Sequence, residues 1–279
     1  MTERIARLLT SADRAKLGDF AEYFLELPVD AEWLTEVAAL VKGRHGTLHT
    51  LAQRFVRLYL SDFDANALTG MYRMQLLPEG AWPRLFGGRP GGRLLDVGAG
   101  SGDVTATLAP SFDEVTTTEV SRGMVKRLKR RGFRCDQLDL CVSAPQGPKY
   151  DAISLLNVLD RCQKPRALLR NCQSALKSGG LLVVALALPY QPFYFSGPVT
   201  PEPLERLDCE PENASWEDRA RRLLERELLP LGLKLERFAR APYLSAGDSK
   251  RELYELDDVV VLLRNGNISA PLAPSPSRD

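Results

Sequence analysis

No stretch of the chain approaches the roughly 20 consecutive apolar residues that cross a bilayer. The amino-terminal segment MTERIARLLTSADRAKLGDF carries charges throughout and lacks the continuous apolar core of a secretory signal. No membrane partner is expected, and an intracellular, cytoplasmic location is. Charge of one sign is missing as well: 37 Lys and Arg face 36 Asp and Glu, a formal net charge of +1. There is thus no overall basic field to hold a nucleic-acid backbone by counterion release, and no nucleic-acid partner is expected. The basic run Lys126, Arg127, Lys129, Arg130 and Arg131 lies on an amphipathic pattern and reads as the solvated face of a helix. Histidine is scarce. His45 and His49 are four apart in a helical pattern, but no third ligand accompanies them, so a solvated helix face is the better reading. The five cysteines are odd in number and show no C-x-x-C spacing, which points to free thiols in a reducing compartment and to no metal site. A monomer is expected.

What is present begins with amphipathic segments, FAEYFLEL, AEWLTEVAALV and LHTLAQRFVRLYL, whose apolar spacing predicts helices up to about Leu60. Between Ser61 and Gly92 the pattern loosens and Gly and Pro accumulate, marking a boundary. The texture then changes to short β-branched or leucine-rich runs at Arg93 to Val97, Glu114 to Thr118, Arg134 to Leu138, Ala152 to Leu156 and Leu181 to Leu188. Helices are expected between them at Val104 to Leu108, Ser121 to Arg131, Pro165 to Leu176 and Trp216 to Leu229, with Gly179-Gly180 as a stop. Strands alternating with helices imply a parallel sheet. Two last strands, Lys234 to Arg240 and Asp257 to Leu263, are joined without room for a crossover helix, so the final one should run antiparallel. The fold expected is α/β, the seven-stranded Rossmann-like plan, with an amino-terminal helical extension over residues 1–90, the main domain over 91–265 and a disordered Pro/Ser-rich tail over 266–279.

The segment LLDVGAGSGD is an apolar strand feeding a glycine loop that opens a helix. Gly98 and Gly100 let backbone approach a ligand where a Cβ would intrude. Glu119 ends the second strand, where a carboxylate can accept both hydroxyls of a ribose. A dinucleotide site needs a third glycine so that pyrophosphate meets the helix terminus, but Asp103 occupies that position and would repel phosphate. S-adenosylmethionine has no phosphate; it brings a sulfonium, an ammonium and a carboxylate, for which Asp96 beside an open loop is suited. The expected cofactor is therefore S-adenosylmethionine, released as S-adenosylhomocysteine, and the expected activity is methyl transfer without a metal. Asp139, just beyond the third strand, stands where an adenine edge is met in this plan, although Asp136 is an alternative. Asn157 and Asp160 reach the carboxyl edge of the sheet after the fourth strand, where open α/β folds bind ligands.

These residues, with TTTEVS, YDAISLLNVLDRCQKP, LLVVALALPYQPF, RAPYLSAGD and YELDDVVVLL, resemble the DREV, or methyltransferase-like nine, family of protein-histidine methyltransferases from about Leu94 to Leu263. The resemblance implies transfer to N1, the pros nitrogen, of a histidine in His-x-His-like segments, with a histidine-containing protein or peptide as partner. It further implies Asp96, Gly98, Gly100, Glu119 and Asn157 as cofactor contacts, with Asp160, Tyr243 and Tyr254 on the substrate side. Catalytic roles would then fall to Asp160, Asn157, Tyr243 and Tyr254, the two tyrosines being readable also as partly buried aromatics at strand ends. A small molecule or another protein residue as acceptor, or a catalytically silent adaptor, are the alternatives; the intact Asp96 and Glu119 speak against the last.

Overall fold

The computed structural model describes residues 10–42, 73–194, 201–247 and 253–266. LHTLAQRFVRLYL, His45, His49 and nearly all of the carboxyl-terminal tail lie outside them. In chain order the elements are α1 (Arg14–Leu17), a 3-10 turn (Gly18–Tyr23), α2 (Ala31–Lys42), β1 (Met74–Gln75), α3 (Ala81–Phe86), β2 (Arg93–Val97) and α4 (Asp103–Leu108). There follow β3 (Glu114–Glu119), α5 (Arg122–Arg130), β4 (Arg134–Gln137), β5 (Tyr150–Leu156), α6 (Pro165–Ala175), β6 (Leu176–Ala187), α7 (Trp216–Leu223), β7 (Leu233–Ala246) and β8 (Leu253–Asn265).

These strands form one sheet in the order β1-β7-β8-β6-β5-β2-β3-β4. β4, β3, β2, β5 and β6 run parallel, while β8 is inserted antiparallel between β6 and β7. This is the Rossmann-like methyltransferase arrangement with, among the described residues, eight strands rather than seven. The added strand, β1, pairs antiparallel with the outer edge of β7, Met74 opposite Ser245 and Gln75 opposite Leu244.

Successive side chains of a strand point to opposite faces, so alternate residues feed two cores. Leu95, Val97, Ile153, Leu155, Leu182 and Val184 pack beneath α6 and α7, with Leu168, Cys172, Trp216 and Leu223. Leu94, Ala152, Val183, Ala185, Val260 and Leu262 pack on the other face with Trp33, Val37 and Leu40 of α2 and Trp82 and Leu85 of α3. The amphipathic pattern of AEWLTEVAALV is thus that of a helix covering one sheet face. FAEYFLEL, expected as a helix, is instead a 3-10 turn that passes into extended chain. Phe24 bridges to Phe238 of β7, the N–H of Leu25 donates to the Phe238 carbonyl at 2.8 Å, and the Phe24 ring meets those of Phe238 and Trp216 edge-on. Pro28 disfavours helical backbone at Leu27, which leaves pairing with the sheet as the better use of this segment.

The hairpin of β7 and β8 is longer than the apolar runs suggested. Arg240 forks onto Asp257 at 2.8 and 2.5 Å, lies 5.0 Å over the Trp216 ring and donates to the Ser11 carbonyl, so charged residues continue the ladder where the apolar pattern stops.

Candidate active site

The carboxyl ends of β2, β3, β4 and β5 open onto a cavity of about 240 Å³. Asp96, Gly98, Gly100, Glu119, Asp139, Asn157 and Tyr243, seven residues expected in the site, line it together. Asp160 and Tyr254 are not among the lining residues: Asp160 is 2% exposed behind the wall, and Tyr254 stands opposite Ser245 in the hairpin. Asp136 does not line it either, which leaves Asp139 as the carboxylate on the β4 side, its Oδ1 accepting from the Cys141 N–H at 2.8 Å.

Asp96 ends its strand 2% exposed and accepts from the hydroxyls of Thr105 and Ser154, both at 2.6 Å. Burial pushes its carboxyl up to about 6, against those two hydrogen bonds and with help from the nearby charge of Glu119. Glu119, at the end of β3, is 8% exposed. Its Oε2 accepts from the Gly100 N–H at 3.0 Å, and its Oε1 from Val120 and Ser121 at 2.8 and 3.1 Å. It therefore ties the glycine loop to β3.

The glycines do different work. A Cβ at Gly98, where φ is +67°, would meet Val158 Cγ2 at 2.8 Å, whereas one at Gly100 would meet nothing within 4 Å. Gly98 allows β2 and the loop after β5 to touch, and Gly100 leaves open space over the cavity floor. Asp103, in the place of a third glycine, accepts from Ser101 Oγ at 2.7 Å, Arg131 at 2.6 Å and the Met74 N–H at 3.3 Å. Burial would raise its carboxyl, but these partners outweigh burial and hold it below the usual value.

On the β5 side Asn157 has a left-handed backbone, φ 56°, a conformation that Asn tolerates better than most residues. Its N–H donates to the Ala185 carbonyl at 3.0 Å and its Nδ2 to Asp258 Oδ2 at 2.6 Å. Asp160 Oδ2 is 2.5 Å from Arg161, whose guanidinium lies 3.9 Å from the centroid of Phe193 in the LPYQPF loop. Asn157 Oδ1, Asp160 Oδ1 and Asp258 Oδ1 are buried acceptors with no donor. Burial raises the carboxyls of Asp160 and Asp258, the nearby Arg161 working against it in both. Sequence reasoning missed Arg161, Met74 and Asp258. The signal for Asp258 was an acidic doublet directly preceding the apolar run VVVLL.

Across the sheet order these groups run from Asp139 after β4, through Glu119 and Asp96, to Asn157 after β5. Over residues 31–265 the sequence matches the DREV methyltransferase family. The chain belongs to that family. A methyltransferase of this Rossmann-like class uses S-adenosylmethionine, and the residues of this DREV protein fit it: the buried Asp96 carboxylate suits a cation, and the open Gly100 leaves room. Over 103 residues the DREV chain is 31% identical to the ubiquinone biosynthesis O-methyltransferase of Xanthomonas campestris pv. campestris (strain B100), a match taking in 34% of this chain and 43% of that enzyme. The chain therefore spans less than half the length of that relative. Among solved structures, the N-methyltransferase NodS of Bradyrhizobium japonicum WM9 in complex with S-adenosyl-l-homocysteine aligns with 67% of this chain and 85% of its own, at 18% identity and TM-score 0.43. Magnesium protoporphyrin IX methyltransferase of Synechocystis PCC 6803 aligns with 67% of this chain and 76% of its own, at 18% identity and TM-score 0.43. Among the described residues, no group of three or more His, Cys, Asp or Glu is placed to hold a metal ion, and no helix is long and apolar enough to cross a membrane.

Proposed function

We propose that this protein methylates N1 of histidine in His-x-His-like segments of other proteins. The observation that carries the reading is the pair of polar groups at the end of β5: Asn157 lines the cavity, and the Asp160 carboxylate lies just behind its wall with one oxygen that lacks a donor. Leaving such groups unmet costs about 1 to 3 kcal/mol each, so the site is suited to an acceptor molecule that brings N–H groups. Neutral imidazole brings one N–H and one lone pair on opposite sides of a ring.

S-adenosylmethionine, when bound, supplies a methyl group on a sulfonium. The residues have to align a lone pair with it more than they have to activate the nucleophile. Asp160 accepts the far N–H of the target ring and so fixes the tautomer that leaves N1 unprotonated. Arg161, paired with Asp160 and stacked on Phe193, holds that carboxylate in place. Tyr243, half-buried in the cavity wall, flanks the ring; Tyr254 lies farther out on the hairpin and contacts the peptide beside it. Asp96 and Glu119 hold the cofactor.

The test is to incubate the pure protein with isotopically labelled cofactor and a His-x-His peptide, and to identify the product by mass spectrometry that separates N1-methylhistidine from N3-methylhistidine. N1-methylhistidine is expected. N3-methylhistidine, or no transfer to histidine at all, would overturn the proposal.

A further inference from the structure

The five cysteines have no role in methyl transfer, and they are not alike. Cys135, Cys172 and Cys209 are buried, and burial pushes each of these thiols up, away from the reactive thiolate. Cys141 and Cys162 are half-buried, and both line the cofactor cavity. They stand in the loops after β4 and β5, strands that β2 and β3 hold apart in the sheet. Three strand spacings come to about 14 Å, so the two loops have to bend toward each other past the ends of β2 and β3 for their thiols to meet. They do meet: the thiol of Cys162 is hydrogen-bonded to that of Cys141.

The contact makes the pair unequal. It holds the Cys141 thiol below its ordinary range, with burial and Asp139 working against it, and it pushes the Cys162 thiol up. Cys141 is therefore the readier thiolate, the form that attacks an oxidant, and Cys162 keeps its proton beside it. An accessible thiolate next to a second cysteine is the arrangement in which a sulfenic acid is resolved to a disulfide.

We propose that Cys141 and Cys162 form a modification site, which hydrogen peroxide closes into a disulfide that narrows the cavity and lowers its affinity for the cofactor. The Cys141 thiolate attacks one peroxide oxygen and breaks the O–O bond, leaving a sulfenic acid on Cys141 and, with one proton, a water. Cys162 then attacks the sulfenic sulfur; the S–S bond forms, and the hydroxyl leaves with the Cys162 proton as a second water. Two thiols are oxidised and one peroxide is reduced. Atoms in contact stand about 3.5 to 4 Å apart and a disulfide holds its sulfurs at about 2.05 Å, so bonding draws the two loops together by up to about 2 Å. Asp139, whose Oδ1 accepts from the Cys141 N–H, moves with its loop. The proposal rests on the cofactor reading of the cavity but not on histidine as the acceptor.

The experiment treats the reduced full chain with hydrogen peroxide, alkylates the remaining thiols and maps unreduced peptides by mass spectrometry. Affinity for S-adenosylhomocysteine is measured by calorimetry before oxidation, after it, and after reduction with dithiothreitol. A Cys141–Cys162 disulfide is expected, with Cys135, Cys172 and Cys209 alkylated. Affinity should fall about tenfold or more on oxidation and return on reduction, since a shift of about 1 Å in groups that position a ligand can cost about 100-fold. Coupling between sites is reciprocal, so saturating S-adenosylhomocysteine should make the pair harder to oxidise in a glutathione buffer by the same factor. Cys162→Ser should stop at the Cys141 sulfenic acid, caught by a sulfenic-acid trap, and Cys141→Ser should yield neither product and bind equally before and after peroxide. No disulfide, or one that joins Cys141 to Cys172, would overturn the proposal, as would trapping on Cys162 in Cys141→Ser. A Cys141–Cys162 disulfide that leaves affinity unchanged would overturn it too, while the cofactor reading stands. A reduced parent that binds no S-adenosylhomocysteine would overturn that reading and, with it, any effect of the disulfide on the cofactor.

Discussion

Protonating Asp96 should weaken cofactor binding, and the size of the effect follows from its surroundings. With a carboxyl raised to about 6 by burial, Asp96 is roughly 90% ionised at pH 7 and roughly 10% at pH 5. If only the ionised form meets the cationic end of S-adenosylmethionine, affinity should fall about tenfold between those two values and level off above pH 7. The cofactor's own amino group, with an ordinary pKa of about 8, stays charged across this window, so it does not produce the slope. The same shift has a second consequence with the opposite sign. A carboxyl raised in the folded state contributes stability below its unfolded value, and that contribution is lost as pH rises through about 6. The unliganded protein should therefore be less favoured by this group at pH 7 than at pH 4, while the ligand-bound protein gains. The assay is calorimetric titration from pH 5 to 7 on the parent and on Asp96→Asn, which keeps the bonds with Thr105 and Ser154 within reach but has no charge to lose. The variant should bind more weakly at pH 7 and show no slope. A flat parent, or a variant that keeps the parent's slope, would refute the reasoning.

Glu119→Ala should weaken cofactor binding by about 1.5 to 3 kcal/mol, the scale of charge-assisted hydrogen bonds, and should also free the Gly100 N–H, so calorimetry should show the loss together with faster amide exchange in the loop. Asp160→Asn should lower turnover on the His-x-His peptide by about 100-fold or more while leaving S-adenosylhomocysteine affinity nearly unchanged, by analogy with other tautomer-fixing carboxylates; full activity in a kinetic comparison removes Asp160 from the chemistry. Gly98→Ala places a methyl group 2.8 Å from Val158 at a φ of +67°, so denaturant unfolding should show a loss of about 1 to 3 kcal/mol, the cost of strained backbone; an unchanged midpoint would mean the loop yields freely.

The parts of this architecture that were legible in the sequence are those with a simple local cause. β2 falls at Arg93–Val97, as its apolar run before the glycine loop requires, and α6 ends where Leu176 turns extended. The hairpin was underestimated because Arg240 and Asp257 look like chain leaving the core, and only their mutual bond makes them strand. Phe24 reads as one apolar residue of a helical stripe until Phe238 is beside it. That Asp96, Gly98, Gly100 and Glu119 would meet at one cavity was readable because glycines and a strand-end acid have a fixed spacing. That Asp160 and Asp258 are buried was not readable, since a buried carboxylate is spelled like a surface one. Burial is a property of the neighbours, and those come from distant parts of the chain.

The two-residue strand β1 has a meaning for the exposed margin of the sheet. β7 would otherwise end the sheet with a bare row of backbone donors and acceptors, the kind of margin onto which another chain can add a strand. Leu25 caps that margin at Phe238, and Arg73, Met74 and Gln75 cap it at Leu244 to Ala246. Met74 at the same time bonds Asp103 beside the glycine loop. Trimming the chain to begin near Gly91 would strip the guard from the sheet's margin and a wall from the cavity in one cut, so a shortened protein should clump as well as lose its ligand.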